Sequence, residues 1–332
     1  MNARVEPQAF ESLATLMATQ AVQWPDKPYL LAPDSGHVLT FGALAADADA
    51  LGERYAAAGL ESGQTVSVYL PNGEQTARLL LGTMACGLVV NPINLLCQPA
   101  QLRYILSHSD TRLIFTWPGG EAAIREASRD AGLEVPVVVT APDATDLPAL
   151  PVVTKDARPL PPPEADAPAL LMYTSGTTGT PKGAELTHEN LRRNATVSVS
   201  TLFEMTERDV LLGALPLFHT FGQTVSMNCS TVVGACLTMI PRFDAGKALE
   251  IIERDHVTVF AGVPTMYGAM LNHPERGRFD VSCLRVCISG GAAMPEQIMR
   301  SFEAEFGCHI LEGYGLSETS PVASFNHPHR ER

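Results

Sequence analysis

From residue 40 onward, apolar positions alternate between short runs and stripes spaced by three and four. Thr40 can accept the first N–H groups of a helix, and Phe41, Leu44, Ala45, Ala48, Leu51 and Tyr55 then recur on one face, which predicts an amphipathic helix. Residues 65–70 read as a buried strand cut off by Pro71, Asn72 and Gly73, a turn signal. Residues 79–84 predict a further helix. Strands are expected at 112–115 and 135–139, with a helix at 121–131 between them. Strands that alternate with helices predict parallel sheets covered on both faces.

The alternation stops at 140–168, which carries prolines at 142, 148, 151, 159, 161, 162, 163 and 168. Such a stretch reads as an extended connector. Alternation then resumes. Strands are expected at 210–215, 235–240, 256–260, 284–288 and 309–311. Asp244 can cap a helix that buries Ala248, Leu249, Ile251 and Ile252. Pro295 suits the first turn of another, with Ile298, Met299, Phe302 and Phe306 inward and Gly307 closing it. No internal repeat is visible. The expected fold is α/β, with two stacked subdomains whose largely parallel sheets are flanked by helices. The first covers 1–140, a connector covers 141–168, and the second covers 169–332.

Composition narrows the function classes. The 332 residues hold 23 Lys and Arg against 36 Asp and Glu, a net charge of −13. Nonspecific nucleic-acid binding depends on neutralising phosphates, and this balance argues against it. Seven cysteines at 86, 97, 229, 236, 283, 287 and 308 form no C-x-x-C and complete no zinc pattern. They read as buried thiols of a reducing, cytoplasmic compartment. The N-terminus lacks the apolar core of a signal peptide. Two apolar stretches, 79–96 and 210–240, are broken, the first by Gly82, Gly87, Asn91 and Pro92 and the second by Pro216, His219, Gln223 and Asn228. Both read as buried elements rather than membrane spans.

The densest chemistry lies at 173–183, Tyr-Thr-Ser-Gly-Thr-Thr-Gly-Thr-Pro-Lys-Gly, after the strand-like residues 169–172. A Gly/Ser/Thr-rich run alone is as readily a turn or linker. Here five Ser and Thr hydroxyls, glycines that let backbone approach a ligand, and Lys182 describe a phosphate cradle. It is not a P-loop, because the lysine follows a proline and no Ser or Thr follows the lysine.

This run resembles the signature of the acyl-adenylate-forming (AMP-binding) superfamily, which includes acyl-CoA synthetases, adenylation domains of peptide synthetases and firefly-type luciferases. Three later segments match in the family's order: Leu-Pro-Leu-Phe-His-Thr-Phe-Gly at 215–222, Ser-Gly-Gly-Ala-Ala at 289–293, and Glu-Gly-Tyr-Gly-Leu-Ser-Glu-Thr at 312–319. The resemblance implies ATP, Mg2+ and CoA as cofactor or co-substrates. The reaction it implies is adenylation of a carboxylic acid followed by thioester formation.

By resemblance, Thr174, Ser175, Gly176, Thr177, Thr178, Gly179, Lys182 and Ser317 bind the ATP phosphates. Gly290, Gly291, Ala292, Glu312, Gly313, Tyr314 and Gly315 surround adenine. Glu318 and Thr174 hold the metal. His219, Lys182 and Glu318 carry the catalytic roles. Phe218, His219, Gly222, Val225 and Val263 line the acyl pocket, although the small and apolar ones read equally as core. Outside the motif His219 would read as a hydrogen-bonded core histidine, and Glu312 as a base, a salt-bridge partner or a solvated carboxylate. Amino-acid adenylation domains carry an aspartate in the segment matching 218–222. This chain has no negative charge there, so the expected substrate is a fatty or aryl acid, because a buried unpaired ammonium would be strongly disfavoured.

The family's ribose-binding Thr-Gly-Asp segment, and the small C-terminal domain with its lysine, have no counterpart in residues 1–332. The sequence is therefore expected to be the front portion of a longer enzyme, unable to complete the reaction alone. The alternatives are an adenylating enzyme that serves a carrier protein and a non-catalytic nucleotide- or acyl-binding remnant.

Overall fold

The computed structural model describes residues 12–154, 157–174 and 180–327. In chain order the strands are β1 (Pro28–Leu31), β2 (Val38–Thr40), β3 (Thr65–Tyr69), β4 (Val89–Pro92), β5 (Thr111–Thr116), β6 (Val137–Val139), β7 (Pro168–Thr174), β8 (Lys182–Thr187), β9 (Val210–Gly213), β10 (Cys236–Met239), β11 (Val259–Gly262), β12 (Val286–Ser289), β13 (His309–Gly315) and β14 (Val322–Phe325). They form two sheets, ordered β6-β5-β3-β4-β7-β8 and β14-β13-β12-β11-β9-β10-β1-β2. Pairing is parallel from β6 to β7 and from β13 to β1. The pairs β7–β8 and β13–β14 are antiparallel. The α/β class expected from the alternation is the class observed.

The described residues divide into two compact units: 12–27 with 39–191, and 28–38 with 192–327. This partition differs from the expected halves. β7 and β8 extend the six-stranded sheet, so residues 169–191 belong with the first half of the chain, whereas β1 and β2 pair into the eight-stranded sheet. Strand pairing is non-local, and neither exchange carries a signature in local periodicity.

In the six-stranded unit, Thr40 accepts from the Ala43 N–H and starts the helix Phe41–Ala57. That helix buries Phe41, Leu44, Ala48, Leu51 and Tyr55, as its spacing predicts. Tyr55 Oη lies 2.7 Å from Thr83 Oγ1 on the helix Glu74–Ala85. The Pro-rich stretch is not a free spacer. Its carbonyls are claimed one after another: Pro142 by the Gln75 N–H, Thr145 by Arg78, and Leu147 and Pro148 by Arg54 Nη1. Proline removes backbone donors, so arginine heads supply the missing partners and hold the stretch as a strap on this unit.

The core of the eight-stranded unit lies between its sheet and the helices Ala245–Arg254, Pro264–Leu271 and Glu296–Phe306. Phe260, Tyr267, Phe302 and Phe306 pack ring against ring with centroids 3.8–5.2 Å apart. The buried Tyr267 hydroxyl donates to the Ile288 carbonyl at 2.7 Å and so ties its helix to β12. The expected strand 256–260 starts later, at Val259, because His256 turns the chain at φ +52°.

Candidate functional site

Four neighbouring parallel strands, β13, β12, β11 and β9, point their carboxyl ends to one edge of the sheet, with Gly262 beside Ser289 and Ser289 beside Glu312. In an open α/β sheet the loops beyond the carboxyl ends of the strands form the binding crevice. Those loops here are 214–219, Val263, 290–294 and the end of β13. They surround a cleft of about 500 Å³. His219, Gly222, Val263, Gly290, Gly291, Gly313, Tyr314, Gly315 and Ser317 all line it, so three motifs far apart in sequence meet within one unit. A neighbouring groove of about 550 Å³ is lined by Ala292, Glu312, Ser324 and Asn326, and it shares Gly291, Gly313, Tyr314 and Gly315 with the cleft.

The glycines have tertiary reasons as well as local ones. A Cβ at Gly313 would strike the Phe325 ring on β14, and Gly291 adopts φ +78°. Tyr314 is 63% exposed, an aromatic face left open between the two depressions. Glu312 Oε1 accepts from the Met294 N–H at 2.7 Å and closes the loop 290–294. Of the three readings of this carboxylate open in the sequence, the geometry supplies a fourth: a brace for the loop.

A helix begins beyond His219, where the Gln223 N–H donates to the His219 carbonyl at 2.9 Å. It continues through the π-helical turn Gly222–Asn228 into Cys229–Val233. The first N–H groups of a helix have no carbonyl behind them and carry the positive end of its dipole. That end opens beside the cleft. His219 is exposed at the rim, yet the protein around it removes enough hydration to hold its imidazole below the ordinary histidine range. Thr220 Oγ1 lies 3.4 Å from Ser317 Oγ and joins the helix start to the turn Ser317–Thr319. Glu318 on that turn is exposed, with no ion pair among the described residues.

Two proposed acyl-pocket residues stand apart from the cleft lining. Phe218 is half-buried beside the His219 ring, with centroids 4.9 Å apart. Val225 is fully buried inside the π-helical turn. Their apolar character is satisfied by packing. This segment also carries polar side chains, of which the sequence marks Gln223 and Asn228 as breaks in the apolar run: Gln223, Thr224, Ser226, Asn228 and Ser230 are all fully buried. The signal was present, since these side chains are what interrupt the apolar run 210–240.

In the six-stranded unit, Thr174 ends β7 and pairs directly with Lys182 at the start of β8. Thr174 Oγ1 lies 3.5 Å from the Lys182 carbonyl. The pair closes the base of the expected phosphate loop, and Lys182 is exposed. Ser175, Gly176, Thr177, Thr178 and Gly179 lie outside the described residues. Tyr173, one residue before, is half-buried and hydrogen-bonded to His108 Nδ1 at 2.8 Å.

Two mostly parallel sheets flanked by helices, one with glycine-containing loops gathered at its carboxyl edge, define the large-domain fold of adenylate-forming enzymes. The chain belongs to the AMP-binding enzyme family, whose model matches residues 17–332. It is 60% identical over 326 residues to a sulfoacetate–CoA ligase of Cupriavidus necator, covering 98% of this chain and 64% of that protein. A long-chain-fatty-acid–CoA ligase of Bacillus subtilis is 30% identical over 359 residues, covering 96% of this chain and 62% of that protein. The chain thus spans less than two thirds of the length of these relatives. The inhibitor-bound N-terminal domain of FACL13 from Mycobacterium tuberculosis matches it with a TM-score of 0.83 at 26% identity, over 96% of this chain and 79% of that one. ATP-bound MatB from Rhodopseudomonas palustris gives 0.82 at 28% identity, over 96% of this chain and 63% of that one. No helix among the described residues is long and apolar enough to cross a membrane.

Proposed function

We propose that this chain carries the acid-activating portion of an ATP-dependent carboxylic acid–CoA ligase. The observation that carries the reading is the cleft itself, where His219, Gly290–Gly291 and Gly313–Ser317 converge within one unit. A carboxylate oxygen of the acid attacks the α-phosphorus of ATP. The bond to the β-phosphate oxygen breaks, pyrophosphate leaves, and an acyl-adenylate forms. The CoA sulfur then replaces AMP at the acyl carbon.

Each group has a physical part in the first step. The helix start beside His219 offers N–H donors and a positive dipole end to the acid carboxylate. His219 orients that carboxylate and moves no proton, since the carboxylate is already ionised near neutral pH. Tyr314, open on both sides, stacks adenine. Glu312 keeps the loop 290–294 in place. Ser317 is the phosphate candidate of this unit; in the other unit the family resemblance makes Thr174, the 175–179 run and Lys182 the phosphate candidates.

A magnesium ion fits Glu318, an exposed carboxylate, as a hard cation prefers oxygen. No group of three or more His, Cys, Asp or Glu converges among the described residues, so phosphate and water oxygens would complete the shell. When bound, the ion supplies charge neutralisation for the phosphate chain.

Sulfoacetate is the first candidate acid, because a relative 60% identical is named for it. A fatty or aryl acid is the second reading, favoured by the apolar cleft residues Val263, Met266 and Phe325. The test is acid-dependent pyrophosphate release by the natural full-length protein with ATP and Mg2+, with the CoA product identified by mass. The expected result is release with sulfoacetate and formation of its CoA thioester. ATP binding without release for any acid, short or long, would reject the reading. Under the same assay, Glu312→Ala is expected to raise the ATP KM about tenfold with a smaller change in kcat, the scale of one charge-assisted hydrogen bond. An unchanged KM would deny Glu312 its bracing part.

A further inference from the structure

The helix that starts at His219 is unlike an ordinary core helix. Over 223–231 it buries six polar side chains completely: Gln223, Thr224, Ser226, Asn228, Ser230 and Thr231. Two of these are accounted for. Thr231 Oγ1 donates back to the Met227 carbonyl at 2.8 Å, and Thr224 Oγ1 donates to the Ser320 carbonyl at 3.2 Å. The others are not. Both amide atoms of Gln223, the hydroxyls of Ser226 and Ser230, and Oδ1 of Asn228 have no hydrogen-bond partner among the described residues. A buried polar group without a partner is costly, and native interiors pair nearly all of them. Thr231 demonstrates the usual solution on this same helix, back-bonding to the preceding turn, which Ser226 and Ser230 do not use.

Position gives these groups a meaning. Gln223 follows Gly222, which lines the cleft, and its N–H bonds to His219 one turn earlier. The segment is tied through Thr224 to Ser320, beside the cleft residues Pro321 and Val322. The turn Gly222–Asn228 is wound as a π-helix, a form that recurs at functional sites. No lysine or arginine among the described residues lines the cleft.

We infer that Gln223, with Ser226 and Ser230 behind it, forms a polar recess for the far end of the acid. The substrate class it selects is a short carboxylic acid whose other end carries an oxyanion, sulfonate or carboxylate, bound by neutral amide and hydroxyl donors. An alkyl tail in the same place would leave the donors unpaired, and sites built to hydrogen-bond a substrate discriminate strongly against analogues that cannot. This inference rests on the ligase reading, with His219 holding the reacting carboxylate.

The test uses the natural full-length protein and a panel of sulfoacetate, malonate, succinate, butyrate and decanoate, read by pyrophosphate release, with ATP affinity measured separately by calorimetry. The wild type is expected to favour the better of sulfoacetate and the dicarboxylates over butyrate by at least about 100-fold in kcat/KM. Gln223→Met, close in volume, is expected to cut that preference at least about tenfold through the KM of the acid, with ATP affinity unchanged. Ser226→Ala is expected to act in the same direction and provides a second variant if Gln223→Met folds poorly. The sulfonate and carboxylate arms decide which oxyanion fits. Turnover of butyrate or decanoate as efficient as that of every oxyanion-tailed acid overturns the recess while leaving the ligase reading intact. So does an unchanged preference in both variants. Failure to consume ATP with any acid overturns both.

Discussion

Glu318→Gln is expected to lower acid-dependent pyrophosphate release about 100- to 1,000-fold, the range for losing one charge-stabilising group at a reacting centre. The change keeps the shape of the side chain and removes its charge. Its effect on folding should be small. The side chain is exposed, and the turn that carries it is held by other groups: the Thr319 N–H donates to the Leu316 carbonyl, and Thr319 Oγ1 accepts from the Leu316 N–H. The thermal midpoint should therefore match the wild type. If Glu318 serves a magnesium ion, raising Mg2+ should recover part of the lost rate. An unaltered rate at every Mg2+ concentration would remove Glu318 from the phosphate chemistry.

The largest expected effect on stability lies away from the cleft. Asp209 is buried at the foot of β9 and accepts five hydrogen bonds among the described residues, from Arg285 Nε at 2.9 Å, Arg285 Nη2 at 2.8 Å, Thr258 Oγ1 at 2.7 Å, the Thr206 N–H at 2.7 Å and Thr206 Oγ1 at 3.4 Å. Arg285 also donates to the carbonyls of Phe203 and Glu204. The cluster ties the starts of β9, β11 and β12, the strands whose far ends build the cleft. Removing one member of such a pair leaves the other uncompensated and costs about 3–5 kcal/mol. Arg285 reaches solvent in part, so Asp209→Ala should fall near the lower end, about 3 kcal/mol. Denaturant unfolding at pH 7 measures it, and a loss within 1 kcal/mol would show the pair to be dispensable.

The pH dependence of that pair has a definite sign. Burial alone would raise the Asp209 pKa, but the hydrogen bonds from Arg285, Thr258 and Thr206, with the Arg285 charge, outweigh it and hold the carboxyl below the ordinary range. A carboxyl with a depressed folded-state pKa stabilises the fold above its unfolded value, about 3.9. That contribution is lost as pH falls through the lower folded value. The gap between wild type and Asp209→Asn should therefore be full at pH 7 and narrow below pH of about 4. A gap that widens with acid would reverse the assignment.

Much of the candidate site was legible because its glycines, hydroxyls and charged groups occur in short contiguous runs. The residues of 173–183 were enough to mark that run as chemistry, and the family resemblance marked 215–222, 289–293 and 312–319. Tertiary reasons then emerged that no run contains. Glu312 braces Met294, 18 positions away. Gly313 must be glycine because Phe325 crosses it. Val225 proved to be core, and the buried polar face of 223–230 went unread because burial is a property of the assembled sheet and not of the run.

By itself the sequence determined the alternation of strands and helices, the caps at Thr40 and Asp244, the closing Gly307 and the motifs at strand ends. All of these follow from the spacing of side chains along one stretch of backbone. The tertiary structure alone decided that β7 and β8 join the first sheet while β1 and β2 join the second. It also decided that the prolines form a strap held by Arg54 and Arg78, and that His219, Gly291 and Tyr314 share one cleft. Those outcomes depend on pairings between distant residues, whose free energy appears only when both partners are buried together.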